Sequence, residues 1–359
     1  MKITTESATL IDRIRASVVA ELRQFLDGQA HYLEKISSDL APVNSALKDF
    51  LLEGGKRLRP IFAYAGYLGA GGVENKNALK AAASLELLQA CALIHDDVMD
   101  GSDTRRNKPS IHKRFEEFHR EHQLRGKSPN FGVASAVLLG DLALIWSDVM
   151  LNQSALGDDV HRKVFAIHDE MRIELMAGQY LDVFEQSRDS FSVERALTIA
   201  RYKSGKYSIE RPLHFGAAMA HHDGAIEAGY SAYGLPLGEA FQLRDDLLGV
   251  FGEPSETGKP AGDDLREGKR TVLIALAYQR GTTDERRLID NRLGATDIAP
   301  SDISELQYVI KRSGAVDEVE TMITERTESA ISALQTIDIS AGAQQILHDL
   351  ALIATQRSK

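Results

Sequence analysis

One cysteine in 359 residues, Cys91, excludes an intrachain disulfide and any multi-cysteine metal centre. No uninterrupted apolar run approaches the roughly 18 residues of a membrane span, so no integral membrane segment is expected. The N-terminus carries Glu6 and Asp12 and no apolar stretch of signal-peptide type; a cytoplasmic location is the expectation. Alternating strand patterns closed by tight Gly turns are missing. The Gly-x-x-x-x-Gly-Lys-Ser/Thr phosphate loop of nucleotide enzymes is also absent. A formal charge of −10 means that bulk electrostatics recruit neither nucleic acid nor an anionic membrane. An anionic substrate would need local cations or a bridging metal.

What is present reads helical nearly everywhere. Apolar residues recur at three and four over 11–33, 79–99, 133–151, 160–184, 193–202 and 225–251. Breaks fall at 69–72, 101–109, 126–129, 188–190 and 252–262, where Gly, Pro and Ser collect. These connections are short and none has the composition of an interdomain linker. The expectation is an all-α chain, with residues 1–35 as an N-terminal helical extension and 36–359 as one catalytic domain.

Two acidic clusters lie inside apolar sequence. Asp96-Asp97-Val98-Met99-Asp100 follows Leu93-Ile94-His95, and Asp245-Asp246-Leu247-Leu248-Gly249 follows Phe241-Gln242-Leu243-Arg244. Carboxylates in core-like sequence need a counter-charge. Asp96 and Asp100 are four apart and share a helix face, where they repel each other and the C-terminal end of the helix dipole. A divalent cation relieves both penalties, and oxygen-only ligands suit Mg²⁺. Asp97 points off that face, in a supporting position. The alternative is a solvated acidic helix end. In the second cluster Asp245 is the candidate ligand and Asp246 its support; the alternative is a helix C-terminus capped by Gly249.

Basic groups flank these acids. Gly54-Gly55-Lys56-Arg57-Leu58-Arg59-Pro60 sets three cations behind two glycines, and Arg105-Arg106 follows the first cluster. Glycine permits close backbone approach to a ligand, and arginine binds phosphate oxygens through two donors. Helical spacing would let Lys56 and Arg59 converge on one anion, while Arg57 need not. Any one basic pair alone reads as solvated surface.

Taken in order, these segments with Gly178-Gln179-x-x-Asp182 and Lys203-Ser204 resemble the motifs of the trans-prenyltransferases, the head-to-tail polyprenyl diphosphate synthases. The likeness spans about residues 40 to 330 and is greatest to the bacterial geranylgeranyl diphosphate synthases. It implies an all-α bundle around a deep central cavity, usually a homodimer, acting on isopentenyl diphosphate and an allylic diphosphate. It implies roughly two to three Mg²⁺ per site, held by Asp96, Asp100 and Asp245. Arg105, Lys203, Lys259 and Lys269 resemble the contacts to the allylic diphosphate. Gly55, Lys56, Arg59, Gln89 and Arg106 resemble the isopentenyl diphosphate site. Ser204 and Gln242 match positions beside the developing cation. The departure is Gly249, where many members carry a third aspartate.

Product length is read from the helix carrying Asp96. Ala92 and Cys91 are small, and Leu88 is the first bulk about two turns below the metal position. This favours a C20 product, geranylgeranyl diphosphate, with a C25–C40 or a farnesyl product as alternatives. A terpene cyclase has no use for a second diphosphate pocket, which Lys56, Arg59 and Arg106 would form. A non-catalytic regulatory subunit need not keep both acidic clusters. His119 and His122 lie in a charged stretch and read as a solvated helix end, not a zinc site. His221-His222-Asp223 reads as a polar turn. Cys91 has no basic neighbour in sequence to lower its pKa and reads as a wall residue.

Overall fold

The computed structural model describes residues 4–220, 224–254, 258 and 260–356. They form helices throughout; the strands among them are one two-residue antiparallel pair. Contacts group the chain into two compact units, residues 1–164 with 215–221, and 165–214 with 222–359.

The first unit begins with α1 (Thr5–Ile36), which Thr4 caps by accepting from the Ser7 amide. Ile11, Ile14, Val18, Leu22 and Phe25 fall on one face at helical spacing and are buried. A 3₁₀ turn (Ser38–Leu40) leads into α2 (Ala41–Leu52), then α3 (Leu58–Gly69) and α4 (Lys76–Met99). The pair β1 (Thr104–Arg105) and β2 (Lys108–Pro109) precedes α5 (Ile111–Glu121), α6 (Ser128–Asn152) and the start of α7 (Asp158–Gln186). Phe25 of α1 meets Trp146 of α6 edge to face at 6.2 Å.

Helix α4 is largely apolar, buries most of its length and packs against α3 and α6. Both α4 and α6 are long and apolar enough to cross a membrane. This differs from the expectation drawn from uninterrupted runs, because isolated Ser, Gly and Asp residues break a run without lowering the mean hydropathy much. The apolar window of α4 is 67% buried inside the protein, that of α6 only 39%.

In the second unit the sequence periodicity predicts an α-helix over 193–202, but α8 (Val193–Ile199) stops three residues short. The backbone widens into a π segment, Ala200–Glu210, before α9 (Arg211–Met219). Three glycines explain the position of the wide turn. A Cβ on Gly178 of α7 would overlap the backbone of Lys203. On α10 (Gly224–Phe251), Cβ atoms at Gly238 and Gly234 would meet the backbones of Gly205 and Glu210. The π segment is thus seated between bare backbone faces, as π turns at functional sites often are. Arg201 donates to Glu239 Oε1 at 2.6 and 2.8 Å, which ties the wide turn to α10.

The remaining helices are α11 (Asp263–Glu267), α12 (Val272–Arg280), α13 (Thr283–Arg292), α14 (Pro300–Arg312), α15 (Ala315–Leu334) and α16 (Ala341–Thr355). Leu243, Leu247 and Val250 turn one face of α10 into a core with Leu265, Val272, Ile303 and Ile310. Gln242, Asp245 and Gly249 lie at helical spacing off that face.

Candidate active site

In the first unit the acids stand at the end of α4, as expected. Asp97 is wholly buried, and Arg105 Nε donates to its Oδ1 at 2.9 Å. Arg105 Nη2 also reaches Asp97, and approaches Asp96 Oδ2 at 3.5 Å. Arg105 lies on β1, and the turn that follows puts Arg106 and Asn107 at φ 54° and 61°. Two left-handed residues make the tight turn of a hairpin, so Asp97 anchors the hairpin that presents both arginines. Gln89, Ala92 and Asp96 lie three and four apart and are half-buried, whereas Leu88 and Cys91 are fully buried. That stripe is the open face of α4 above Leu88.

His95 donates through Nε2 to Val137 O at 3.1 Å on α6, beside Asp141 at 3.6 Å. Gly140 leaves the space for the ring, since a Cβ there would overlap it. Burial, with Asp141 adding, pushes the Cys91 thiol up to about 12. The thiol sits 3.7 Å from His95 Nδ1 yet stays protonated at neutral pH.

The glycine-rich segment departs from the helical argument. Lys56 precedes α3 in an exposed loop, and Arg57 at φ 55° breaks the helical spacing to Arg59. Arg57 is buried against Glu86 of α4 at 2.6 Å. Arg106 lies across the same turn, and its Nη1 donates to Phe50 O at 3.0 Å and Glu53 O at 3.1 Å.

In the second unit Asp245 and Asp246 do not end their helix. α10 continues to Phe251, so Gly249 is interior and not a cap. Its missing side chain has a cause that local sequence conceals. A Cβ on Gly249 would overlap the carboxylate of Asp264 from α11. A carboxylate therefore does stand about one turn beyond Asp245, delivered from another helix. Gln242 Nε2 donates to Asp246 Oδ1 at 2.6 Å. Burial pushes the Asp246 carboxyl up to about 8, against the Gln242 bond, and Asp264, Asp245 and Asp182 add to the rise. Lys203 Nζ is 2.6 Å from Asp182 Oδ2. Lys269 Nζ is 2.5 Å from Glu267 and 3.7 Å from Asp264. Ser204 is half-buried on the π segment.

Such a concentration of acids suits a hard divalent cation. Among the described residues no three His, Cys, Asp or Glu side chains form a ready-made metal cage. Lys259, His221, His222 and Asp223 lie outside the described residues. His119 is not solvated as expected: its ring is buried against Phe131 and pairs with Arg125 O at 3.2 Å. His122 stacks on Phe118 at 3.9 Å. Sequence reading gave no role to Glu86 or Asp264; a lone acid inside the apolar stretch 81–94 was the available signal for Glu86.

The family model for polyprenyl synthetase matches residues 41–311. A geranylfarnesyl diphosphate synthase of Aeropyrum pernix is 30% identical, the match covering 92% of this chain and 99% of that protein. A geranylgeranyl diphosphate synthase of Saccharolobus solfataricus is 28% identical over 90% of this chain and 93% of its own length. Among solved structures, a geranylgeranyl pyrophosphate synthase from Corynebacterium glutamicum, complexed with isoprenyl diphosphate and magnesium, is 42% identical with a TM-score of 0.94. The likeness covers 97% of this chain and 99% of that one. With the ordered motifs, the helical fold and these matches in agreement, the chain belongs to the polyprenyl synthetase family and is a prenyltransferase.

Proposed function

We propose that the chain condenses isopentenyl diphosphate head to tail with an allylic diphosphate and releases diphosphate, with geranylgeranyl diphosphate (C20) as product. The observation that carries this reading is the gathering of Asp182, Asp245, Asp246 and Asp264 at one place, where so many carboxylates need a positive counter-charge. The related enzyme complexed with isoprenyl diphosphate and magnesium supports the same ligands here. Residues 36–359 would act as one catalytic domain behind the helical extension 1–35.

Asp96, Asp100 and Asp245 are the proposed holders of roughly two to three Mg²⁺, with Asp264 supplying the carboxylate that position 249 lacks. When bound, Mg²⁺ neutralises the allylic diphosphate and eases its departure. Arg105, Lys203 and Lys269 bind the allylic diphosphate, and Lys259 is proposed to join them. Gly55, Lys56, Arg59, Gln89 and Arg106 bind isopentenyl diphosphate. Gln242 has its amide nitrogen on Asp246, which leaves its carbonyl oxygen for the developing allylic cation. The Ser204 hydroxyl serves the same charge. The double bond of isopentenyl diphosphate then attacks C1 of the allylic cation, and a proton leaves to the departed diphosphate.

The open stripe of Gln89 and Ala92 above fully buried Leu88 supports a C20 limit. The 30% identity to a geranylfarnesyl diphosphate synthase favours a second reading, a C25 product. A homodimer is supported by unpartnered apolar faces. On α6, Val133, Val137, Leu138 and Ile145 are exposed, and on α7 so are Ile173, Met176, Tyr180 and Phe184. Faces of this kind mark association surfaces.

Incubation with isopentenyl diphosphate, farnesyl diphosphate and Mg²⁺ tests the reaction. The C20 diphosphate should accumulate and Leu88→Ala should run past C20, while Ala92→Phe, given geranyl diphosphate in place of farnesyl diphosphate, should stop at C15. Absence of any extended product would sink the reading; unchanged lengths in both variants would remove the Leu88 floor alone.

A further inference from the structure

We propose that Glu86 is the buried counter-charge that holds Arg57 and Arg106 together beneath the Gly54–Gly55 turn, and so positions the diphosphate subsite for isopentenyl diphosphate. The inference rests on the assignment of Lys56, Arg59 and Arg106 to that subsite.

Glu86 lies ten residues before Asp96 on α4, about 15 Å along the axis, too far to serve a metal there. Its side chain is 5% exposed and that of Arg57 2%. Arg57 Nη1 donates to Glu86 Oε2 at 2.6 Å, and Nη2 donates to Leu51 O. A buried arginine held this way faces inward and is not a phosphate contact. Its left-handed φ of 55° is strained for a non-glycine residue. Such a conformation persists only where its surroundings over-determine it, and the ion pair and the Leu51 carbonyl do so.

The turn above is built on two guanidiniums. A Cβ placed on Gly55 would lie 3.1 Å from Arg57 Nη1 and 3.3 Å from Arg106 Nη2. Both side chains thus share the underside of one residue. Burial disfavours the charge on Arg106 most; Arg57 disfavours it further and Glu86 opposes both. Two like charges side by side, one buried and one half-buried, require a counter-ion. Without Glu86, Arg106 would swing away from Arg57 and from the Phe50 and Glu53 carbonyls, and Gly54–Gly55 would lose its floor.

The test is steady-state kinetics with each substrate varied separately, alongside thermal midpoints. Glu86→Gln and Arg57→Lys should raise the KM for isopentenyl diphosphate roughly tenfold, with kcat and the allylic KM within about twofold. Arg57→Met with Glu86→Leu removes the pair without stranding a charge, so it should stay folded and show the same rise. Lys56→Ala is the control for the subsite. If it raises that KM while the double variant keeps the parental value, the positioning role is overturned. Equal rises in both KM values would reduce the pair to general stability and overturn it too. An unchanged KM in Lys56→Ala would remove the subsite assignment, and this proposal with it.

Discussion

At residue 249 a gap in the motif is filled from elsewhere in the chain. Gly249 has no room for a side chain because the Asp264 carboxylate occupies that space. Asp264 also bears on the buried Asp246 carboxyl, together with Asp245 and Asp182. The second acidic cluster is therefore a composite of three helices and not a reduced copy of the first. Asp264→Asn should raise the Mg²⁺ concentration for half-maximal rate several-fold and weaken the Mg²⁺-dependent thermal shift. Gly249→Ala should move both in the same direction by displacing the carboxylate. A Mg²⁺ titration that superimposes on the parent for both variants would rule Asp264 out.

The element that matters most is the π segment Ala200–Glu210. Its seat between Gly178, Gly234 and Gly238 sets how deeply Lys203 and Ser204 stand. Glu239 braces it from α10, joined by Arg201 on one oxygen and by Arg326 of α15 at 2.8 Å on the other. Gly238→Ala forces α10 off Gly205, an overpacking that costs about 1–3 kcal/mol. The thermal midpoint should fall and kcat should drop about tenfold, since Ser204 moves with the backbone. Gly28→Ala, in α1 with nothing within 4 Å of its Cβ, should instead gain about 0.5–1 kcal/mol. Equal behaviour of the two variants would show that the glycine seat is not selective. Pro236 sits inside α10 between Gly234 and Gly238, where a proline removes one backbone donor from the helix.

For the whole molecule, the apolar face of α6 is the feature a single chain leaves unanswered. Leu138 is 66% exposed and Ile145 56%, seven residues apart on one stripe. The helix is apolar enough for a membrane, yet its other side is built for protein: Gly132 admits the His112 carbonyl and Gly140 admits His95. A second copy is the proposed cover. Leu138→Glu should halve the mass seen by light scattering, with little change in far-ultraviolet circular dichroism. A dimer mass that survives the charge would take α6 out of the interface.

The sequence by itself determined the helical class, the ends of α4 and the start of α10, and the identity of the acids and bases. These follow from local periodicity, from spacing of three and four, and from the need of a carboxylate in apolar sequence for a counter-charge. The ordered motifs also carried the family. Only the tertiary structure decided the rest. Arg57 stood apart from Lys56 and Arg59 with no role of its own until its pairing with Glu86, 29 residues away, turned it inward. Gly249 read as a missing third acid until the Asp264 carboxylate was found in its place. The first residues of the π segment, 200–202, looked like the end of an ordinary helix because the cause of the wide turn lies in glycines of α7 and α10. In each case the deciding term is steric or electrostatic and acts between residues far apart in sequence, where periodicity carries no information.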